Sequence, residues 1–115
     1  MSAVCPKHKP LVWLHGEVKT PPLSKEGRRE MGFLLRRLQR GETFGLPHSR
    51  PMAAVGGRCH ELRVNDSSGQ WRLMYRIDGD AIVILEVFQK KTPTTPKPVI
   101  EACRRRAKEY DNAAK

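Results

Sequence analysis

Four basic residues in the middle of the chain lie at spacings that could bind an anion: Arg63, Arg72, Arg76 and Lys90. Successive side chains of a β-strand point to opposite faces, so these residues are predicted to share one face of a sheet. The apolar residues predicted on that face are Met74, Ile84 and Phe88. The guanidinium fork matches phosphate oxygens, so this face could bind a polyanion. The alternative is a solvated face whose long side chains cover apolar atoms.

Three predicted strands must position this face. The turn signals between them are the polar stretch 66–69 and the Asp78-Gly79 pair, which adopts a tight hairpin turn at low cost. Such short connections make neighbouring strands antiparallel. The sequence therefore predicts a meander over residues 60–66, 70–78 and 81–90. The side chains expected on its apolar face are His60, Leu62, Val64, Trp71, Leu73, Tyr75, Ile77, Val83, Leu85 and Val87.

A strand and a helix are predicted before the meander. Residues 11–18 are apolar and β-prone, and the prolines at 21 and 22 would end that strand. The next apolar residues, Met31, Leu34, Leu35 and Leu38, recur at helical spacing. This pattern predicts an amphipathic helix over residues 24–40, with Ser24 as N-cap and Gly41 at its end.

A long loop precedes the meander and a second helix follows it. Three apolar residues are expected to pin the loop 41–58 to the domain: Phe44, Leu46 and Met52. A final helix is predicted over residues 96–111, with Thr95 able to cap it. The predicted order is β-α-loop-β-β-β-α, an α+β fold with an antiparallel sheet and both helices packed on one face. Residues 1–10 are expected to form a flexible arm, and residues 11–115 a single domain.

Composition limits the classes of function. The chain of 115 residues has a net charge of +10, which favours nucleic acid, an anionic membrane or an acidic protein as partner. No apolar run approaches the roughly 20 residues that span a bilayer, and the N-terminus does not resemble a secretory signal. We therefore expect a cytoplasmic protein without membrane contact. The three cysteines have no C-x-x-C spacing, so neither a disulfide nor a metal site is expected.

Four segments in sequence order carry a family resemblance: HELRV at 60–64, WRLMYRID at 71–78, AIVILEVFQKKTPTTP at 81–96 and ACRRRAKEY at 102–110. Together they resemble the RelE/ParE toxin superfamily, and more closely its phage-derived HigB-like branch. The resemblance covers residues 10–111, and its most specific part is the stretch 88–96. It implies the toxin of a type II toxin–antitoxin system.

Members of that superfamily act in two ways. Many enter the ribosomal A site and cut the mRNA there, which would make this protein an mRNA interferase. ParE-like members instead inhibit DNA gyrase without chemistry of their own. The partners implied are the ribosome with its mRNA and an antitoxin, which is commonly a helix-turn-helix protein. The toxin would contact operator DNA only through this antitoxin. No cofactor is implied.

The resemblance also implies roles for individual residues. Metal-free RNA cleavage needs a base near the 2′-hydroxyl, cations beside the phosphorane and an acid for the leaving oxygen. Arg72 matches the phosphate-contacting arginine of the family, although it could instead be a cross-strand partner for a glutamate. Arg63 matches a basic position that ribonuclease relatives use on the neighbouring strand, with an exposed strand charge as the alternative. Lys90 and Lys91 match catalytic or RNA-contacting positions, with guarding of the strand end as the alternative.

Other assignments are weaker. His48 in the loop and Glu61 beside Arg63 are further candidates for catalysis, whereas His60 is expected in the core. The residues predicted to contact RNA or the ribosome are Arg63, Arg76, Phe88, Lys90, Lys91, Arg104 and Arg105. The C-terminus lacks the His-Tyr pair of some ribonuclease relatives, so the general base stays open. A plain nucleic-acid-binding domain is a third hypothesis, but it would be expected to present more stacking aromatics than Phe88.

Overall fold

A computed structural model describes residues 8–15, 23–67 and 69–113. Its elements are β1 (Leu11–Trp13), α1 (Lys25–Gln39), β2 (Ser49–Pro51), β3 (Cys59–Asp66), β4 (Gly69–Ile77), β5 (Ile82–Lys90) and α2 (Lys97–Ala113). The strands form one sheet in the order β1-β5-β4-β3-β2, in which β1 runs parallel to β5 and the other pairs are antiparallel. The α+β fold class and the predicted meander are confirmed.

Helix α1 forms where the sequence predicts it. The Ser24 hydroxyl accepts a hydrogen bond from the Gly27 amide at 2.9 Å, which satisfies an otherwise unpaired donor of the first turn. The helix stops before Gly41, whose φ of 96° is favourable for glycine. Its apolar stripe packs on one face of the sheet, against Leu62 and Leu73 among others.

Helix α2 packs on the opposite face. Its Cys103 is fully buried in a second core with Met74, Val83 and Leu85. The prediction that both helices lie on one face is therefore wrong. Strands β4 and β5 carry apolar side chains on both of their faces, and each apolar face must be covered.

A β-bulge explains which side chains were assigned to the wrong face. Met74 pairs with Glu86, but the next residue, Tyr75, pairs with Ile84, so Leu85 is the extra residue on β5. Because of this extra residue, strict alternation assigns Leu85 and the β5 residues before it to the wrong faces. Ile84 lies in the core under α1, whereas Leu85 and Val83 lie in the core under α2, the reverse of the predicted faces.

The long loop contains one strand that the sequence did not predict. The three residues of β2 pair with β3 at the edge of the sheet. Met52 is buried and Phe44 packs on the core under α1, as expected. Leu46 was also expected to pin the loop, but it is 69% exposed, so that prediction is wrong.

The ends of the chain differ in part from expectation. Lys9 of the predicted arm is held, because its amide donates to the Gln39 carbonyl at 2.8 Å. Residues 1–7 of the predicted arm lie outside the described residues, as do residues 16–22, on which the end of the first predicted strand falls. Thr95 is not the cap of α2: the helix begins at Lys97, and the Thr95 hydroxyl donates to Glu61.

Asp66 joins α1 to the β3–β4 turn. Its carboxylate accepts hydrogen bonds from the amide and hydroxyl of Ser24, the amide of Gly69 and the indole of Trp71, at 2.6 to 3.2 Å.

No described helix is long and apolar enough to cross a membrane.

Candidate functional site

Strand register gathers basic side chains in neighbouring rows across the sheet face that α2 also contacts. Arg50 on β2 lies opposite Glu61 on β3. In the next row, Arg63 lies opposite Arg72, which lies opposite Phe88. One row further, Gln70 lies opposite Lys90. We use the name basic cluster for Arg50, Arg63, Arg72, Lys90 and the adjoining Lys91.

Arg72 is the buried centre of this cluster, only 1% exposed. Its two terminal nitrogens donate to the Trp71 carbonyl at 2.9 Å, the Asn65 side chain at 3.2 Å and the Gln70 side chain at 3.3 Å. Its Nε lies 3.7 Å from a Glu61 oxygen but has no hydrogen-bond partner among the described residues. Burial lowers the pKa of Arg72, and so does the charge of Arg63, whereas the charge of Glu61 raises it. Arg72 is thus held from several sides and does not reach the surface.

Glu61 is the counter-charge beneath the cluster, and its side chain is fully buried. It accepts hydrogen bonds from Arg50 Nε at 3.2 Å and from the Thr95 hydroxyl at 3.0 Å. The Thr95 contact places the β5–α2 connection over the cluster. Because these partners occupy the carboxylate, the geometry indicates an anchor for cations, and gives Glu61 no exposed oxygen for a substrate.

Lys90 and Lys91 form the open side of the site. With Gln70 they line a cavity of about 450 Å³ at the end of β5, whose remaining walls are Gly69, Gln89, Thr92 and Pro93. Lys91 is exposed and Lys90 half-buried. Burial lowers the pKa of Lys90; Glu61 raises it, and the charges of three neighbouring arginines lower it further. An anion entering this cavity would meet both lysines.

Of the predicted histidines, the exposed His48 adjoins the basic cluster through its backbone, since its carbonyl accepts a hydrogen bond from the Arg63 amide at 2.8 Å. The His48 ring contacts Phe44, which packs on the core under α1. His60 stacks on Tyr75 with 5.4 Å between ring centroids, on the apolar face where the sequence placed it. No three His, Cys, Asp or Glu side chains of the described residues are arranged to hold a metal ion.

The remaining predicted RNA contacts divide into two groups. Phe88 is half-buried beside Arg72 and packs on the core under α2. Arg76 is 6% exposed and makes paired hydrogen bonds to Asp78 and to Asp111, which raise its pKa. Because its donors already bind these two carboxylates inside the fold, Arg76 is not assigned to the proposed RNA contact. The exposed Arg104 and Arg105 line a separate cavity near the end of α2.

Sequence reasoning missed four residues of the site. Arg50 lies in the loop whose pairing was not predicted, and Thr95 was assigned to a helix cap. Asn65 and Gln70 end the strands beside Arg72 and hold its guanidinium. The last two could have been found, because each lies two residues from an arginine of the predicted basic face and alternation places it on that face.

The sheet between two helices, with the basic cluster on one face, defines a small α+β protein and is compatible with a RelE-like fold. Residues 22–108 match the family model for phage-derived Gp49-like protein (DUF891). The chain therefore belongs to this toxin-like family. No curated protein matches the chain.

Proposed function

We propose that this protein is the toxin of a type II toxin–antitoxin pair and an endoribonuclease that cuts mRNA on the ribosome. The observation that supports it is the basic cluster, in which five cations lie near one buried carboxylate, Glu61, and two of them, Arg50 and Arg72, contact it. Like charges placed next to each other cost stability, so this arrangement favours a role in binding an anion over a role in holding the sheet together.

The proposed reaction balances as a transesterification. The ribose 2′-oxygen bonds to the adjacent phosphorus as the bond to the 5′-oxygen breaks. The 2′-hydroxyl loses a proton and the 5′-oxygen gains one, leaving a 2′,3′-cyclic phosphate and a 5′-hydroxyl. No step needs a cofactor; the protein must supply cations beside the phosphorane and a route for protons.

The accessible cations fit these tasks. Arg63 and Lys91 reach the surface and are assigned to the phosphorane charge. Lys90 is assigned to proton transfer, because it lines the open cavity and because burial and neighbouring cations lower its pKa. Glu61 is not assigned as the base, since its oxygens are engaged. Placement of the mRNA by the ribosome would supply much of the remaining rate enhancement.

Arg72 is assigned as a positioning residue. It lies beneath the surface and holds the side chains of Asn65 and Gln70, of which Gln70 lines the cavity with Lys90. Its charge also raises the positive potential felt by a phosphate above it. This differs from the direct phosphate contact that the family resemblance implied, because Arg72 is only 1% exposed.

The proposal includes partners. Membership of a toxin-like family suggests a neutralising antitoxin. A helix-turn-helix protein is the form expected, and the ribosome with its mRNA would be the target in the cytoplasm. A net charge of +10 suits docking in a pocket lined by ribosomal RNA.

Primer extension on a defined message in a reconstituted translation system tests the proposal. We expect cuts at A-site codons that disappear when ribosomes are omitted. The double variant Arg63→Ala/Lys90→Ala should lose the cuts, while Arg29→Ala/Arg36→Ala, which removes the same charge from exposed positions of α1, should keep them.

Two results would contradict the proposal. Cuts that survive in the Arg63→Ala/Lys90→Ala variant would remove the basic cluster from the reaction. An intact message together with inhibition of gyrase supercoiling would assign the protein to the non-enzymatic gyrase inhibitors.

A further inference from the structure

A second concave site lies on the α2 side of the sheet, at the end far from Lys90 and Lys91. It is a cavity of about 870 Å³ between the turn 55–58 and the second half of α2. Its basic lining residues are Arg58, Arg76, Arg104, Arg105 and Lys108. Apolar residues in its lining are Val55, Cys59 and Ala107.

Most of the positive charge around this cavity is not matched inside the fold. Arg76 is paired with Asp78 and Asp111, and Arg58 lies 3.6 Å from Asp78. The other basic lining residues, Arg104, Arg105 and Lys108, make no ion pair within the described part of the chain. Three cations therefore line one concave surface without an ion pair of their own, and the carboxylate in the lining, Asp111, binds Arg76.

The chemistry of the cavity favours carboxylates as its ligand. Arg76 in its wall already binds two carboxylates through paired hydrogen bonds of 2.7 to 3.0 Å. The apolar wall suits the small or aliphatic side chains that flank acidic residues in a peptide. A nucleic acid duplex is convex and would contact the rim of the cavity, leaving the apolar wall uncovered. We propose that the cavity is the docking site for an acidic segment of a partner protein.

The geometry separates this docking site from Lys90, on the open side of the basic cluster. Arg76 pairs with Cys59 at one end of the β3–β4 ladder, and Gln70, which lies opposite Lys90, is near the other end. Six residues of strand correspond to about 20 Å. A partner anchored in the cavity can thus bind while the Lys90 side of the basic cluster remains open, so the inference does not depend on ribonuclease activity.

Fluorescence anisotropy with two labelled probes tests the inference on the full chain. The probes are a peptide of glutamates and a single-stranded uridine oligonucleotide. The variants are Arg104→Glu/Arg105→Glu at the cavity, Arg63→Glu/Lys90→Glu at the basic cluster and Arg29→Glu/Arg36→Glu on α1. All three change the charge equally, and circular dichroism checks that each folds.

We expect the cavity variant to weaken peptide binding by about tenfold or more and RNA binding by less than about threefold. The basic-cluster variant should show the opposite pattern. A larger loss of RNA than of peptide in the cavity variant would assign the cavity to nucleic acid and overturn the proposal. Equal losses of peptide in the cavity and α1 variants would show a general effect of charge, and would overturn it too. Neither outcome bears on mRNA cleavage, which primer extension measures separately.

Discussion

Arg63 and Arg72 lie directly opposite each other on adjacent antiparallel strands, and their side chains share one face. Like charges in this relationship destabilise a sheet. Glu61 lies 3.7 Å from Arg72 and offsets part of the repulsion, yet the charge of Arg63 still contributes to a lowered pKa of Arg72. The pair therefore lowers the stability of the sheet and concentrates positive potential on one of its faces.

The first prediction separates stability from function at Arg63. Arg63→Ala removes the repulsion, so the free energy of unfolding should stay constant or rise by up to about 1 kcal/mol. Binding of a uridine oligonucleotide should nevertheless weaken. Urea denaturation and anisotropy measure the two quantities, with Arg29→Ala as control. Destabilisation by Arg63→Ala would mean that the side chain holds the sheet together.

The second prediction concerns the buried carboxylate of Glu61. Glu61→Gln preserves the shape of the side chain but leaves Arg72 buried without its counter-charge. Breaking a buried ion pair from one side costs roughly 3 kcal/mol or more of unfolding free energy. The matched control is Glu42→Gln, whose partner Arg37 is 36% exposed, and this surface pair should contribute no more than about 1 kcal/mol. Similar urea midpoints for the two variants would contradict the role of Glu61 as anchor.

The third prediction compares two glycines of α1. A Cβ at Gly27 would collide with the Asp66 carboxylate, whereas a Cβ at Gly32 meets nothing within 4 Å. Gly27→Ala should therefore cost roughly 1–3 kcal/mol of stability through overpacking. Gly32→Ala should gain about 0.5–1 kcal/mol, because alanine favours a helix over glycine. Thermal or urea unfolding of both variants would test the predicted opposite signs.

The fourth prediction is a pH dependence of stability from His60. Burial lowers its pKa below the usual 6.5, so the unfolded chain binds the proton more tightly than the folded one. The stability that neutral His60 contributes is present above pH 6.5 and is lost as the pH falls through its folded pKa. We expect wild type to lose more unfolding free energy than His60→Gln between about pH 7 and pH 5. Parallel curves for the two proteins would contradict this.

The sequence was informative wherever a local pattern fixed the structure. The Asp78-Gly79 turn, the Ser24 cap and the apolar spacing of α1 each depend on neighbouring residues, and all were predicted. The bulge at Leu85 was not, because an extra residue in one strand is visible only against its partner. The helices were placed on one face because alternation across the bulge hid the second apolar face.

In the candidate site, too, the local patterns were predicted and the contacts between distant parts of the sequence were not. Alternation was enough to bring Arg63, Arg72 and Lys90 together. It could not show that Arg72 is buried, since the side chains of Asn65 and Glu61 meet its guanidinium across the strand pair only in the folded sheet. Arg50 joins the cluster through a three-residue edge strand, too short for any periodic signal.

The strand order has a consequence for self-association. An unpaired strand edge can template pairing with another chain, and proteins restrict this risk by keeping edge strands short or placing proline in them. Here the edge strands β1 and β2 have three residues each, and β2 ends in Pro51. The long strands, each of eight or nine residues, lie between them. Detaching β2 would expose one side of β3, so the loop that supplies Arg50 also protects the sheet from intermolecular β-pairing.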